Sequence, residues 1–122
     1  MQVALIMVGG ALGTLFRYKI GGWVQGWGGG RFPVGTFSIN VSGALVAGFL
    51  ATYLLERSTL SSDLRTAILV GLLGGYTTFS AFTVETLNLA NDGEWAYAAA
   101  NVLGSAAAGL VAVWAGQSLA RL

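Results

Sequence analysis

Six basic and five acidic side chains are all the formal charge that 122 residues carry, and they leave four uncharged stretches at residues 1–16, 32–55, 66–84 and 95–120. About 20 apolar residues suffice to cross a bilayer as a helix. The first stretch becomes long enough if Arg17 and Lys19 snorkel or face a wet interior, and if its helix continues toward Trp23. Charged residues make up 9% of the chain, against roughly 25% in soluble domains. The expected class is an all-α membrane protein: a single integral membrane domain over residues 1–122, with four transmembrane helices surrounded by lipid. Short loops leave no room for a soluble domain.

A cleaved signal peptide is the competing reading of the N-terminus. Met1-Gln2 offers no basic start, however, and the same Ser, Gly and Ala punctuation recurs in the later stretches, so the first stretch is expected to stay as a span. The chain has no cysteine and no histidine. Disulfides, thiolate metal sites, imidazole bases and Ser-His or Cys-His nucleophile pairs are therefore excluded, and neither an enzyme nor a nucleic-acid partner is expected.

The third stretch holds Gly74-Gly75-Tyr76-Thr77-Thr78-Phe79-Ser80-Ala81-Phe82 near its middle. Unpaired backbone groups in hydrocarbon are penalised by several kcal/mol, so a helix-weakening segment at that depth must line a polar cavity or lie buried in protein. Sites of that kind usually handle an ion. If the chain is helical after the break, the rings of Phe79 and Phe82 project from one side, either as core packing or as part of a path. Glu85 follows one turn later, where an interfacial charge is the plainer expectation.

The other spans carry small and polar residues at helical spacing. In the first, Gly9 and Gly13 share a face, which lets a neighbouring helix approach closely. The segment 21–31, with six glycines from Gly21 to Gly30 and the rings of Trp23 and Trp27, reads as an interfacial turn; Gly28 to Gly30 lack the Lys-Ser/Thr of a phosphate loop. Pro33 suits the first turn of the second helix, which then sets Thr36, Asn40 and Gly43 on one face. Asn40 must find a partner there, and two readings stay open: an interhelical bond for packing, or an amide N–H turned toward an anion path. The fourth span begins at Trp95 after the turn at 91–94, and Ala100, Gly104 and Ala108 give it a face for tight contact, with Ser105 beside it.

Lys and Arg are balanced between the two sides. Arg17, Lys19 and Arg31 fall on one and Arg57, Arg65 and Arg121 on the other, so the positive-inside rule favours neither orientation. Two identical chains in opposite orientations, an antiparallel homodimer, are the natural expectation.

With these residues in view, the chain resembles the Fluc (CrcB) family of small fluoride channels. The resemblance rests on four blocks in order: residues 9–18, Pro33 with Gly35-Thr36, Asn40 to Gly43 with Gly48, and Gly71 to Phe82 with Glu85. It implies a dual-topology homodimer in the cell (inner) membrane with two fluoride pores and a central structural sodium ion. Carried onto this chain, the sodium ligands are the main-chain carbonyls of Gly74 and Thr77. Phe79, Phe82 and Asn40 match pore residues, Ser80 a polar track that Thr36 and Ser105 would extend, and Arg17 and Glu85 are vestibule or gating candidates. Ala81 departs from the family's pattern by removing a hydroxyl, while Thr83 keeps one. The rival classes are a small dual-topology multidrug exporter, which needs a membrane-embedded carboxylate, and a non-conducting assembly subunit. Here the first span has no acid, and Glu85 is the one acid that could lie within the membrane.

Overall fold

The computed structural model describes residues 1–122, and every regular element in it is helical. The elements are α1 (Gln2–Gly28), α2 (Val34–Glu56), α3 (Ser62–Thr66), a π-helical stretch (Ala67–Leu72), α4 (Leu73–Tyr76), α5 (Ser80–Asn91) and α6 (Trp95–Ala120). Four segments are long and apolar enough to cross a membrane: α1, α2, the composite segment Ser62–Asn91, and α6. The interruption expected in the third span is present, with Thr77 extended at ψ 157° between α4 and α5.

Two packed pairs organise the bundle. α1 lies along the π-helical stretch and α4, whereas α2 lies along α6, and α5 closes on α6. Lipid tails are as apolar as leucine, so such pairs are held by close backbone approach rather than by expulsion of water. At Gly9 an added methyl would sit 2.7 Å from the Ala67 carbonyl oxygen, and at Gly13 it would run into the carbonyl of Leu72. Gly9 and Gly13 therefore serve the contact their spacing predicts.

Four sequence expectations change in detail. α1 runs to Gly28, so most of the glycine-rich segment is helical and the turn shrinks to 29–33, with Gly29 and Gly30 at positive φ. Glycine lowers helix stability by about 1 kcal/mol per residue, and two features offset this. Trp23 and Trp27 stack one turn apart at 6.3 Å, and Gln25 ties the turn down, donating to the Phe32 carbonyl at 3.2 Å and accepting from Gly35 N–H at 2.9 Å. The π-helical stretch was not legible in the sequence. The tight face of α6 also differs: Ala100 is exposed, and the buried positions are Ala98, Asn101, Ala112, Gly116 and Ala120. Finally, Glu85 is half-buried and hydrogen-bonded rather than a free interfacial charge.

The ends of the bundle are stapled by ion pairs. Arg31 in the first connection pairs with Glu94 in the third, and Arg121 Nη2 lies 2.9 Å from Glu56 Oε1. Both pairs stand at solvent-exposed ends of the bundle, where screening leaves an ion pair weak. They record the up-down order of the helices.

Gly13→Ala is expected to lower stability by about 1–3 kcal/mol, because backbone must shift to admit the methyl. Gly22→Ala, with nothing within 4 Å of the added atom, should be neutral or stabilising by up to about 1 kcal/mol. Thermal unfolding in detergent compares the two; equal loss in both would remove the close-approach argument.

Candidate functional site

Asn40 lies one turn beyond Thr36 on α2, and its carboxamide meets the break in the third span. Asn40 Nδ2 donates to the Thr78 carbonyl at 2.8 Å, and Asn40 Oδ1 accepts from Thr78 N–H, also at 2.8 Å. The side chain thus imitates a strand partner for a single residue. Of the two readings left open for Asn40, packing is fulfilled by this clamp. The second amide hydrogen of Nδ2 is not used by it.

The clamp changes which carbonyls are free. In a continuous helix Thr78 N–H would close on the Gly74 carbonyl, but it goes to Asn40; Ala81 N–H would close on the Thr77 carbonyl, but it goes to Thr78 Oγ1 at 3.2 Å. Neither Gly74 nor Thr77 carbonyl receives a backbone amide in exchange. The Gly75 carbonyl between them is taken by Arg17 Nε at 3.1 Å. The two carbonyls that the resemblance singled out as cation ligands are thus two that the break leaves without a helical partner. Oxygen donors of this kind suit a hard monovalent cation.

Two hollows flank the clamp, and Thr78 lines both. The larger, about 720 Å³, brings together Asn40, Phe79, Phe82 and Ser105, with Gly74 and Thr77 in its wall. The Phe79 and Phe82 ring centroids stand 5.7 Å apart at an interplanar angle of 45°. Phe79 is 76% exposed, an unusual amount for so large a ring next to a half-buried clamp. The smaller hollow, about 300 Å³, gathers Arg17, Thr36 and Glu85. Thr36 Oγ1 donates to Glu85 Oε1 at 2.8 Å, while Glu85 Oε2 is buried with no partner.

Not every expected residue joins these groups. Ser80 is exposed, lines neither hollow, and lies 3.4 Å from Thr78 Oγ1 through its hydroxyl. Thr36 belongs with Arg17 and Glu85 rather than with Asn40 and the two rings. Two residues escape a reading of the sequence: Thr78, whose backbone is the target of the clamp, and Asn101, which is 1% exposed and bonded to Thr86 and Ser105. The signal for Asn101 was present. A carboxamide among alanines, four residues before Ser105, needs a polar partner on its own face of the helix.

Fold and site together define a class: a polytopic α-helical membrane protein whose polar centre is an interrupted helix clamped by an asparagine. Its place within that class comes from comparison. A family model described as CrcB-like protein, Camphor Resistance (CrcB), matches residues 4–117, and the chain belongs to this family. Similar over 99% of this chain are proteins named fluoride-specific ion channel FluC: 48% identical in Methylococcus capsulatus, 46% in Solibacter usitatus and 41% in Geobacter metallireducens. This chain spans 53% of the length of the Methylococcus protein, 99% of the Solibacter one and 98% of the Geobacter one.

Asn40→Leu keeps the branched shape, at a somewhat larger volume, but leaves Thr78 N–H and carbonyl unpaired. A loss of about 1–3 kcal/mol is expected, with the Thr78 amide losing its protection from hydrogen exchange. Retained protection at Thr78 would show that the clamp is not what holds the break.

Proposed function

We propose that this chain is a fluoride-specific ion channel that allows passive export of cytoplasmic fluoride. The observation that carries the reading is the hollow in which Asn40, Phe79, Phe82 and Ser105 meet beside an interrupted helix, in a chain of this family. Fluoride is small and strongly hydrated, so a selective path must replace water with hydrogen-bond donors and still let the ion leave. The free N–H of Asn40 and the hydroxyl of Ser105 are neutral donors of that sort. Ring edges carry the positive part of the aromatic quadrupole, so Phe79 and Phe82 offer weak, dry stations that limit size. Nothing that lines this hollow is charged, which favours passage over trapping.

The vestibule role falls to the second hollow. Arg17 supplies a positive charge near the anion's path while its Nε holds the Gly75 carbonyl, and Glu85 is kept engaged by Thr36. The working unit we propose is a homodimer of two oppositely oriented copies with two pores, which the balance of Lys and Arg permits and which would cover Gly74 and Phe79, both exposed in the single chain. The carbonyls of Gly74 and Thr77 would hold a structural sodium ion at the centre of that dimer. Such an ion supplies fixed positive charge where the bilayer penalises an anion. Residence in the inner membrane and relief of fluoride trapped as the ionised form of a weak acid complete the reading.

Efflux from proteoliposomes, followed with a fluoride electrode and repeated with chloride, tests the channel. Rapid fluoride release without matching chloride release is expected, and Phe79→Ile or Phe82→Ile should reduce it by at least about tenfold without loss of assembled protein. No release from correctly reconstituted parent protein would return the chain to the assembly-subunit class. A separate measurement addresses the cation: replacing sodium with choline during purification is expected to lower the thermal midpoint and favour monomer. An unchanged midpoint and unchanged assembly would argue against a structural sodium ion.

A further inference from the structure

Beyond the clamp, three side chains form a hydrogen-bonded chain across the α5–α6 contact. Asn101 Nδ2 donates to Thr86 Oγ1 at 2.9 Å, Ser105 Oγ donates to Asn101 Oδ1 at 3.3 Å, and Thr86 Oγ1 donates to the Phe82 carbonyl at 2.7 Å. Ser105 lines the hollow of about 720 Å³, whereas Thr86 lines a neighbouring hollow of about 570 Å³ together with Thr83 and Leu87. Phe82 and Val102 line both. Phe82 therefore stands at the boundary between them, and the buried Asn101 bonds to one hydroxyl from the lining of each.

A hydroxyl has a single hydrogen, so the direction of this chain decides where a donor is presented. With the bonds as described, Ser105 spends its hydrogen on Asn101 and turns only lone pairs to its hollow, which repel an anion. Thr86, accepting from Asn101, keeps its hydrogen for the Phe82 carbonyl or for an ion on its own side. The oxygen and nitrogen of a carboxamide are nearly equal in size. A half-turn of the Asn101 amide reverses the chain without moving any other heavy atom: Thr86 then donates to Oδ1, Nδ2 donates to Ser105 Oγ, and the Ser105 hydrogen is released into the larger hollow.

We propose that Asn101 is a positioning residue whose amide reversal hands a hydrogen-bond donor from one side of Phe82 to the other. Fluoride in the larger hollow selects the state in which Ser105 donates; fluoride beyond Phe82 selects the state in which Thr86 donates. The two donors are mutually exclusive, so the ion is held on one side of the ring or the other and never trapped between both. A path must bind enough to admit the ion and weakly enough to release it, and exclusive donors meet both demands. The relay also supplies hydroxyl donors in a chain that lacks one at Ala81. It rests on the channel reading above and goes further by naming how the polar track works.

Two measurements on the full chain test it. In detergent-solubilised protein labelled with ¹⁵N-asparagine, the Asn101 side-chain resonance is expected to move on adding sodium fluoride and to stay still with sodium chloride, and the fluoride shift should vanish in Ser105→Ala. In proteoliposomes, Thr86→Val and Ser105→Ala should each slow fluoride efflux about tenfold, and the double variant should be no slower than the slower single one, since either change stops the alternation. An Asn101 resonance blind to fluoride, or losses that multiply in the double variant, would overturn the relay while leaving a conducting parent protein as a channel. A parent protein that passes no fluoride would overturn the channel reading and the relay with it.

Discussion

The reciprocal bonds between the Asn40 carboxamide and the Thr78 backbone are the constraint on which the rest of the site depends. A helix in hydrocarbon can be broken only if something replaces the backbone bonds it gives up. One side chain from a neighbouring helix does so here, pairing both groups of a single residue. From that substitution follow the unpartnered carbonyls of Gly74 and Thr77, the start of a new helix at Ser80, and the position of Phe79 at its mouth. Arg17 completes the arrangement by taking the Gly75 carbonyl. The broken segment is thus held from two sides, by α1 and by α2.

That hold needs the helices to sit close together. α1 meets the third span where glycines let backbone lie on backbone, and Gly43 leaves room on α2 for Thr77 and Tyr76 just where the break passes. Tyr76 in turn shares a hydrogen bond of 3.0 Å with Ser42. Small residues and polar clamps therefore work as one device: the first bring the spans within reach, and the second fix their register. With no water to expel, neither would suffice alone.

The four spans, the break, and the shared face of Thr36, Asn40 and Gly43 were legible because each rests on a strong rule: charge spacing, backbone satisfaction in lipid, and helical periodicity. The extent of α1 was not. Glycine reads as a breaker, and the stacking of Trp23 on Trp27 and the bonds of Gln25 that outweigh it are visible only in three dimensions. The π-helical stretch leaves no mark because the run Ala67 to Leu72 carries no residue pattern that separates a π-helix from an α-helix. The resemblance places Ser80 in a shared polar track, but the turn at Thr78 carries it outward. The signal of Asn101, a carboxamide that needs a polar partner, goes unread because the alanines and glycines around it read as packing.

Only 17 of 122 residues are buried in the single chain. Leu15, Val70, Leu103, Leu110 and Trp114 belong to a large outer surface of apolar side chains, and one such side chain dissolves in lipid about as well as another. Exchange of one apolar side chain for another there changes little, so the demands of the fold on its sequence are concentrated in a thin inner thread of glycines, Asn40, Arg17 and the Thr77-Thr78 pair. A mutational screen scored by substitution tolerance would trace that thread through the molecule like a wire through insulation.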